Sequence, residues 1–228
     1  MVIPRVCVVC GGPLTMHERY ICIECLADMP LTHFWESGRN EMADKFNSCL
    51  TAAAEEPYCC AAALFNYNEA SPYRHITPHL KYGGGVGSGR FFGSMLGERL
   101  AGCDFAQDAD CIVPVPLHWR RRMTRGYNQA EIIASSLARY LPGALHPEML
   151  RRVRYSKSQT QVGVSGKHTN VAGAFKAVPS VRNPRLILLV DDVFTTGATL
   201  AACHDALRNV YDSSTRISAV TLAYVASS

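Results

Sequence analysis

The sequence predicts an α/β fold: a mostly parallel sheet flanked by helices, with a small four-cysteine ribbon at the N-terminus. Three observations carry this expectation. From Cys59 onward, apolar runs of strand length alternate with helix-like segments, and such alternation implies a parallel sheet covered on both faces. The run from Leu186 to Val190 is continuously apolar, which suits a strand buried on both sides, although periodicity alone also allows a buried helix. Cys7, Cys10, Cys22 and Cys25 are spaced C-x2-C-x11-C-x2-C in a segment too poor in apolar residues to fold unaided.

That spacing brings four thiolates to the tetrahedral arrangement zinc prefers. Gly11 and Gly12 follow the first pair, where a knuckle needs a residue tolerant of positive φ. Two disulfides would be the rival, and they need an oxidising compartment that nothing in the chain supports. Residues 1–30, closed by Pro30, are therefore expected as a zinc ribbon, residues 31–58 as a linker with a short helix, and residues 59–228 as the α/β domain.

Within that domain "CCAAALFNYN" reads as a strand. "PYRHITPHLKY" and "GSGRFFGSMLGERLAG" read as helices split by a glycine-rich turn, and "ADCIVPVPL" as a short buried strand. "GYNQAEIIASSLARYL" is an amphipathic helix with Ile132, Ile133, Leu137, Tyr140 and Leu141 on one side. Residues 154–170 are polar and contain Gly163 and Gly166, which predicts a mobile loop. A helix over 198–210 and a final strand "RISAVTLAYV" complete the order. Cys103, Cys111 and Cys203 lie in or beside apolar segments and are expected as buried small hydrophobes.

A chain of 228 residues suits one core and a small appendage. No stretch approaches the roughly 18 consecutive apolar residues of a membrane span. The first 25 residues hold four cysteines and a broken apolar pattern, unlike a signal peptide. A soluble, cytoplasmic protein is expected. The net charge of +4 does not by itself imply nucleic acid, but "HWRRRMTRG" gathers Arg120, Arg121, Arg122 and Arg125 into a few residues. Such a cluster is either a solvated basic loop or a site for polyphosphate.

The apolar run ends in Asp191 and Asp192, followed by Val-Phe-Thr-Thr-Gly-Ala-Thr. In an open α/β sheet the carboxyl end of a strand is where ligands bind. A helix starting near Gly197 would present unpaired N–H groups and the positive end of its dipole. Thr195, Thr196 and Thr199 add hydroxyl donors and Gly197 allows close approach, so residues 195–199 form a phosphate cradle. Carboxylates do not hold phosphate; they accept from hydroxyls or bind a metal ion. A ribose 5-phosphate meets both demands. The acidic pair of a nucleotide triphosphatase would need G-x-x-x-x-G-K-[ST] upstream, and none is present; "GGGVGSG" at 83–89 reads as a flexible turn. An Asp-Asp pair that merely caps a helix leaves the Thr-Thr-Gly-Ala-Thr run unexplained.

"VDDVFTTGAT" resembles the phosphoribosyl pyrophosphate (PRPP) motif of type I phosphoribosyltransferases. The wider chain resembles the ComF family, through "CVVCGGPL", "CIECLADMP", "HLKYGG", "PVPLHWRRRMTRGYNQAE", "KSQTQVGVSGKHTNVAGAF" and "LLVDDVFTTGATL" in family order. The resemblance implies a type I phosphoribosyltransferase-like domain behind a zinc ribbon. By it, Asp191 and Asp192 are the catalytic pair on the ribose hydroxyls, and Thr195, Thr196, Gly197, Ala198 and Thr199 hold the 5-phosphate. Pro114, Val115, Pro116 and Leu117 form the pyrophosphate loop, with Arg122, Arg125 and Lys81 nearby. Lys157, Gln159, Thr160 and Lys167 belong to a hood that closes over PRPP, and Asn128 and Gln129 match the family's Asn-Gln with a role in ligand or in structure. Implied cofactors are Zn²⁺ on Cys7, Cys10, Cys22 and Cys25, and Mg²⁺ carried with PRPP. Implied partners are PRPP or a nucleotide monophosphate and, since the family is associated with DNA uptake in natural competence, single-stranded DNA or a DNA-uptake helicase. The transfer of ribose 5-phosphate to a nitrogen acceptor competes with a non-catalytic nucleotide-sensing or DNA-binding adaptor.

Overall fold

The computed structural model describes residues 5–51, 56–82, 85–154 and 173–226. In chain order the strands are β1 (Ala61–Tyr67), β2 (Cys111–Pro114), β3 (Ala144–Leu145), β4 (Leu150–Arg152), β5 (Phe175–Ala177), β6 (Leu186–Phe194) and β7 (Arg216–Val225). The helices are α1 (Ile23–Ala27), α2 (Glu41–Ser48), α3 (Ile76–His79), α4 (Gly85–Leu100), α5 (Asp104–Gln107), α6 (Trp119–Arg125), α7 (Gln129–Leu137) and α8 (Ala198–Arg208). Five strands form one sheet in the order β1-β7-β6-β2-β3, every pair parallel; β4 and β5 form a separate antiparallel pair.

The apolar run is the strand that the sequence predicts, and its alternation fills two cores. Leu186, Leu188 and Val190 meet Phe92 and Leu96 of α4 and Ile133 and Leu137 of α7 on one face. Ile187 and Leu189 meet Phe46 of α2 and Leu200, Cys203 and Leu207 of α8 on the other. A strand buried on both sides must be apolar throughout, which is why no polar alternation shows in its sequence. The strand also outruns the apolar run by four residues. Asp191, Val193 and Phe194 still pair with Thr221, Ala223 and Tyr224 of β7, whose ten residues provide backbone partners beyond the carboxylates.

Two further expectations are corrected. "GGGVGSG" is not simply a turn, because α4 begins at Gly85. Glycines along α4 are there for packing: a Cβ at Gly89, Gly93 or Gly97 would stand 3.0, 2.9 or 2.5 Å from Ile132, Ser136 or Tyr140. Both sets step by four residues, so a bare row on α4 receives a side-chain row running along α7 and on to Tyr140 just past its end. The basic stretch after His118 is likewise no loop. It forms α6, capped by the His118 side chain and closed by Gly126 in the left-handed region at φ 81°.

The segment expected to link ribbon and domain carries the expected short helix, α2, with Met42, Ala43 and Phe46 fully buried. The ribbon packs on the sheet domain too: Val9, Ile21 and Met29 share a core with Leu64 and Phe92, and Tyr73 Oη donates to the Cys25 carbonyl at 2.8 Å. Cys103, Cys111 and Cys203 are buried as expected. Among the described residues no helix is long and apolar enough to cross a membrane.

The strand order fixes where a ligand can sit. From β2 the chain turns to β3 on one side, then returns to β6 on the other side of β2. A crevice opens between the carboxyl ends of two such strands, the usual place for a ligand in this architecture.

Candidate functional site

A cleft of about 310 Å³ occupies that crevice. It is lined by Asp191 and Asp192 from the end of β6, by Thr195 and Thr199 around the start of α8, by the loop 115–117 with Arg121, Arg125, Asn128 and Gln129, and by Lys81 and Arg152. Each part is held by the backbone around it. Val115 N donates to Val190 O at 2.8 Å and Asn128 Nδ2 donates to Val115 O at 3.0 Å, so the loop after β2 is clamped between β6 and the start of α7. Tyr127 Oη donates to Leu80 O at 2.9 Å, which ties the Lys81 segment to the α6–α7 corner.

Successive residues of a strand point to opposite faces, so the two carboxylates serve different sides of the cleft. Asp192 is the partner of Lys81, with Nζ 3.3 Å from Oδ2. Asp191 accepts from the Asp192 N–H at 2.8 Å through Oδ1. Burial, and then the Asp192 carboxylate, push Asp191 well above the usual carboxylate range, and Lys81 offsets this only in part. Burial and the nearby Arg121 lower the Arg152 guanidinium, while Asp191 acts the other way. A raised carboxyl and a guanidinium thus line the same cleft.

One part of the lining is a helix start. Gly197 caps α8 with φ 79°, a conformation that favours glycine, and a Cβ there would lie 2.9 Å from the Phe194 ring. Thr195 and Thr196 before it are exposed and Ala198 and Thr199 follow. The Ala198 N–H meets Thr196 Oγ1 at 3.4 Å, and Thr195 and Thr199 on either side of this eleven-residue helix's start line the same cleft as the aspartates.

Outside the residues that line the cleft, the sulfurs of Cys7, Cys10, Cys22 and Cys25 all lie within 4.8 Å of one another, with Cys10 and Cys22 3.8 Å apart. Backbone N–H groups of Val9 and Cys22 point at Cys7 Sγ at 3.4 Å, that of Gly12 at Cys10 Sγ at 3.4 Å, and that of Cys25 at Cys22 Sγ at 3.5 Å. Burial raises the Cys7 thiol, but these amides outweigh it and hold it at about 7. Burial and the neighbouring sulfurs push Cys25 far up. Four thiols so close cannot ionise together without a cation among them, and the spacing fits one tetrahedral metal ion.

Residues 124–228 match the family model described as phosphoribosyl transferase domain. The chain is 36% identical over 103 residues to competence protein F of Haemophilus influenzae, covering 44% of this chain and 45% of that protein. It is 28% identical over 163 residues to competence protein ComFC of Streptococcus pneumoniae, covering 71% and 68% of the two. These matches support the resemblance to the ComF family. The DNA utilization protein YhgH of Escherichia coli K12 is 36% identical over 92 residues, or 40% of each chain. The alignments with competence protein F and YhgH thus span less than half of those proteins.

Of the residues singled out in the sequence, the structure gathers Asp191, Asp192, Thr195, Thr199, Val115, Pro116, Leu117, Arg125 and Lys81 about one cleft. Thr196, Gly197 and Ala198 form the α8 start beside it. Pro114 and Arg122 line an adjoining cleft, where Arg122 pairs with Glu131 at 3.4 Å. Lys157, Gln159, Thr160 and Lys167 lie outside the described residues. Arg121 and Arg152 are cleft residues that the sequence pattern did not single out as site residues. The helical period of "WRRRMTR" is the signal for Arg121, which lies one turn from Arg125. Arg152 arrives through the β4–β5 pairing, which left no mark in the sequence pattern.

Proposed function

We propose that this cleft binds PRPP with its Mg²⁺ and that the chain is a phosphoribosyltransferase, passing ribose 5-phosphate to a nitrogen acceptor. One observation supports this above others: a carboxylate pair, threonines at a helix start and several arginines line a single cleft. In this reading Thr195–Thr199 hold the 5-phosphate and Asp191 and Asp192 accept from the ribose hydroxyls. The 115–117 amides with Arg121, Arg125 and Arg152 stabilise charge on the departing pyrophosphate. Mg²⁺ enters with PRPP and neutralises the leaving group. The C1 carbon, oxocarbenium-like as the C–O bond breaks, is attacked by the acceptor nitrogen. The four-cysteine ribbon holds a structural Zn²⁺, since sulfur-only tetrahedral sites suit that ion and the reduced thiols suit a cytoplasmic protein.

The test is calorimetry of Mg–PRPP with the wild type and an Asp191→Asn/Asp192→Asn variant. Binding on the order of micromolar to submillimolar, lost in the variant, supports the reading. A folded wild type that binds no PRPP overturns it.

A second reading has its own observation. Trp119 is 59% exposed on α6, with Arg120 stacked 5.3 Å from its ring centre, beside Arg121, Arg122 and Arg125. An aromatic face set among cations suits single-stranded nucleic acid, and relatives carry competence and DNA utilization names. Binding of a labelled oligonucleotide that falls steeply with salt and survives the double aspartate change would favour this adaptor role.

A further inference from the structure

Gln129 opens the nine-residue helix α7 and is only 5% exposed, yet its side chain lines the cleft. Arg125 Nη1 donates to its Oε1 at 3.2 Å. A guanidinium has no acceptor, so this contact fixes the amide: oxygen toward Arg125, the NH₂ group away from it. That nitrogen is buried and, among the described residues, has no hydrogen-bond partner. A buried donor left unmade is costly, and one built into the wall of a cleft asks for an acceptor from the ligand.

We infer that Gln129 is a ligand-contacting residue: its amide nitrogen donates to an oxygen of the PRPP diphosphate and so selects PRPP over a ligand with a single phosphate. This rests on the phosphoribosyl reading above. Two helix starts border the cleft, α8 at Gly197 and α7 at Asn128, with the aspartate pair between them. Each start favours an anion, and the α7 end adds the Gln129 donor, Arg125 and Arg121. A sugar phosphorylated at one position satisfies the α8 end and leaves the α7 end unanswered. PRPP, with a monophosphate on C5 and a diphosphate on C1, satisfies both. A purely structural Gln129 would need only its oxygen, which holds Arg125.

Two substitutions separate these roles. Gln129→Glu retains an acceptor for Arg125 but loses the donor and adds a negative charge; Gln129→Met keeps the length and loses both polar atoms. Calorimetry would use Mg–PRPP, Mg–pyrophosphate and ribose 5-phosphate as probes, with melting curves to follow the fold. Gln129→Met is expected to weaken PRPP and pyrophosphate about tenfold, the scale of one hydrogen bond to a charged group. Gln129→Glu should weaken them about a hundredfold or more, and ribose 5-phosphate should bind both variants as it binds the wild type. A Gln129→Glu protein that melts and binds PRPP like the wild type overturns the inference while leaving the phosphoribosyl reading intact. Equal loss of all three probes also overturns it, since the effect is then not confined to the diphosphate. A wild type that binds none of them removes both.

Discussion

Lys81 Nζ stands 3.3 Å from Asp192 Oδ2, so one of the cleft's carboxylates already has a cation beside it. Asp191, one residue earlier, is raised chiefly by burial and by Asp192, and Lys81 works against that rise. Ligand hydroxyls are best accepted by an ionised carboxylate, so Asp191 should release a proton as ligand enters. Affinity for Mg–PRPP should therefore climb with pH from the ordinary aspartate range, about 4, to the raised value. In Lys81→Met the rise should move to higher pH. Dissociation constants measured at several pH values check both; a flat profile in the wild type contradicts the proton release.

The raised carboxyl also makes Asp191 a stability liability. Its folded-state value lies above the unfolded one, so the native chain holds the proton more tightly and stability falls as pH rises through that window. Asp191→Asn should abolish this part of the slope. Each tenfold gain in proton affinity on folding is worth about 1.4 kcal/mol, and about 1 kcal/mol moves Tm by about 2–4 °C in a chain of this size. Melting curves should show the variant more stable than the wild type at pH 7 and no more stable near pH 3. A site that trades stability for binding behaves this way.

Gly85 should tolerate no side chain. A Cβ there would collide with the Leu80 carbonyl and the Tyr127 hydroxyl, the two groups that anchor the Lys81 segment. Backbone cannot step aside as a flexible side chain can. Gly85→Ala is expected to cost about 1–3 kcal/mol, as overpacking does, and to weaken PRPP binding through Lys81. Chemical denaturation and calorimetry on the one variant test both effects.

How much of this was legible in the sequence depended on the reach of the forces involved. The β6–α8 unit showed itself because a strand buried on both faces must be apolar and the helix start behind it is a run of small and hydroxylated residues, both local features. β3, β4 and β5 have two or three residues each, too few for any period to register. Arg152 reaches the cleft only because β4 pairs with β5 more than twenty residues away. The placement of Arg121 and Arg122 followed from α6 being a helix: Arg121 and Arg125, four apart, face the cleft together, while Arg122 turns toward Glu131. Gln129 was visible as a residue, but the unmet donor emerges only from its contact with Arg125.

The cysteine cluster predicts one metal ion per chain. Because Val9, Ile21 and Met29 share a core with Leu64 and Phe92, removing the ion should destabilise more than the ribbon. Cys10→Ser is expected to lose the ion and lower Tm, with elemental analysis giving one zinc per wild-type chain. Co²⁺ in its place should show sulfur-to-metal absorption bands. An ion-free wild type that melts like the loaded one contradicts the structural role.

The most direct test of the proposed site is a crystal structure with Mg–PRPP bound. The expected result has the 5-phosphate on Thr195–Thr199, the ribose hydroxyls on Asp191 and Asp192 with Lys81 drawn off Asp192, and the diphosphate against residues 115–117 and Gln129. PRPP bound outside this cleft, or lying with its diphosphate on α8, would contradict it.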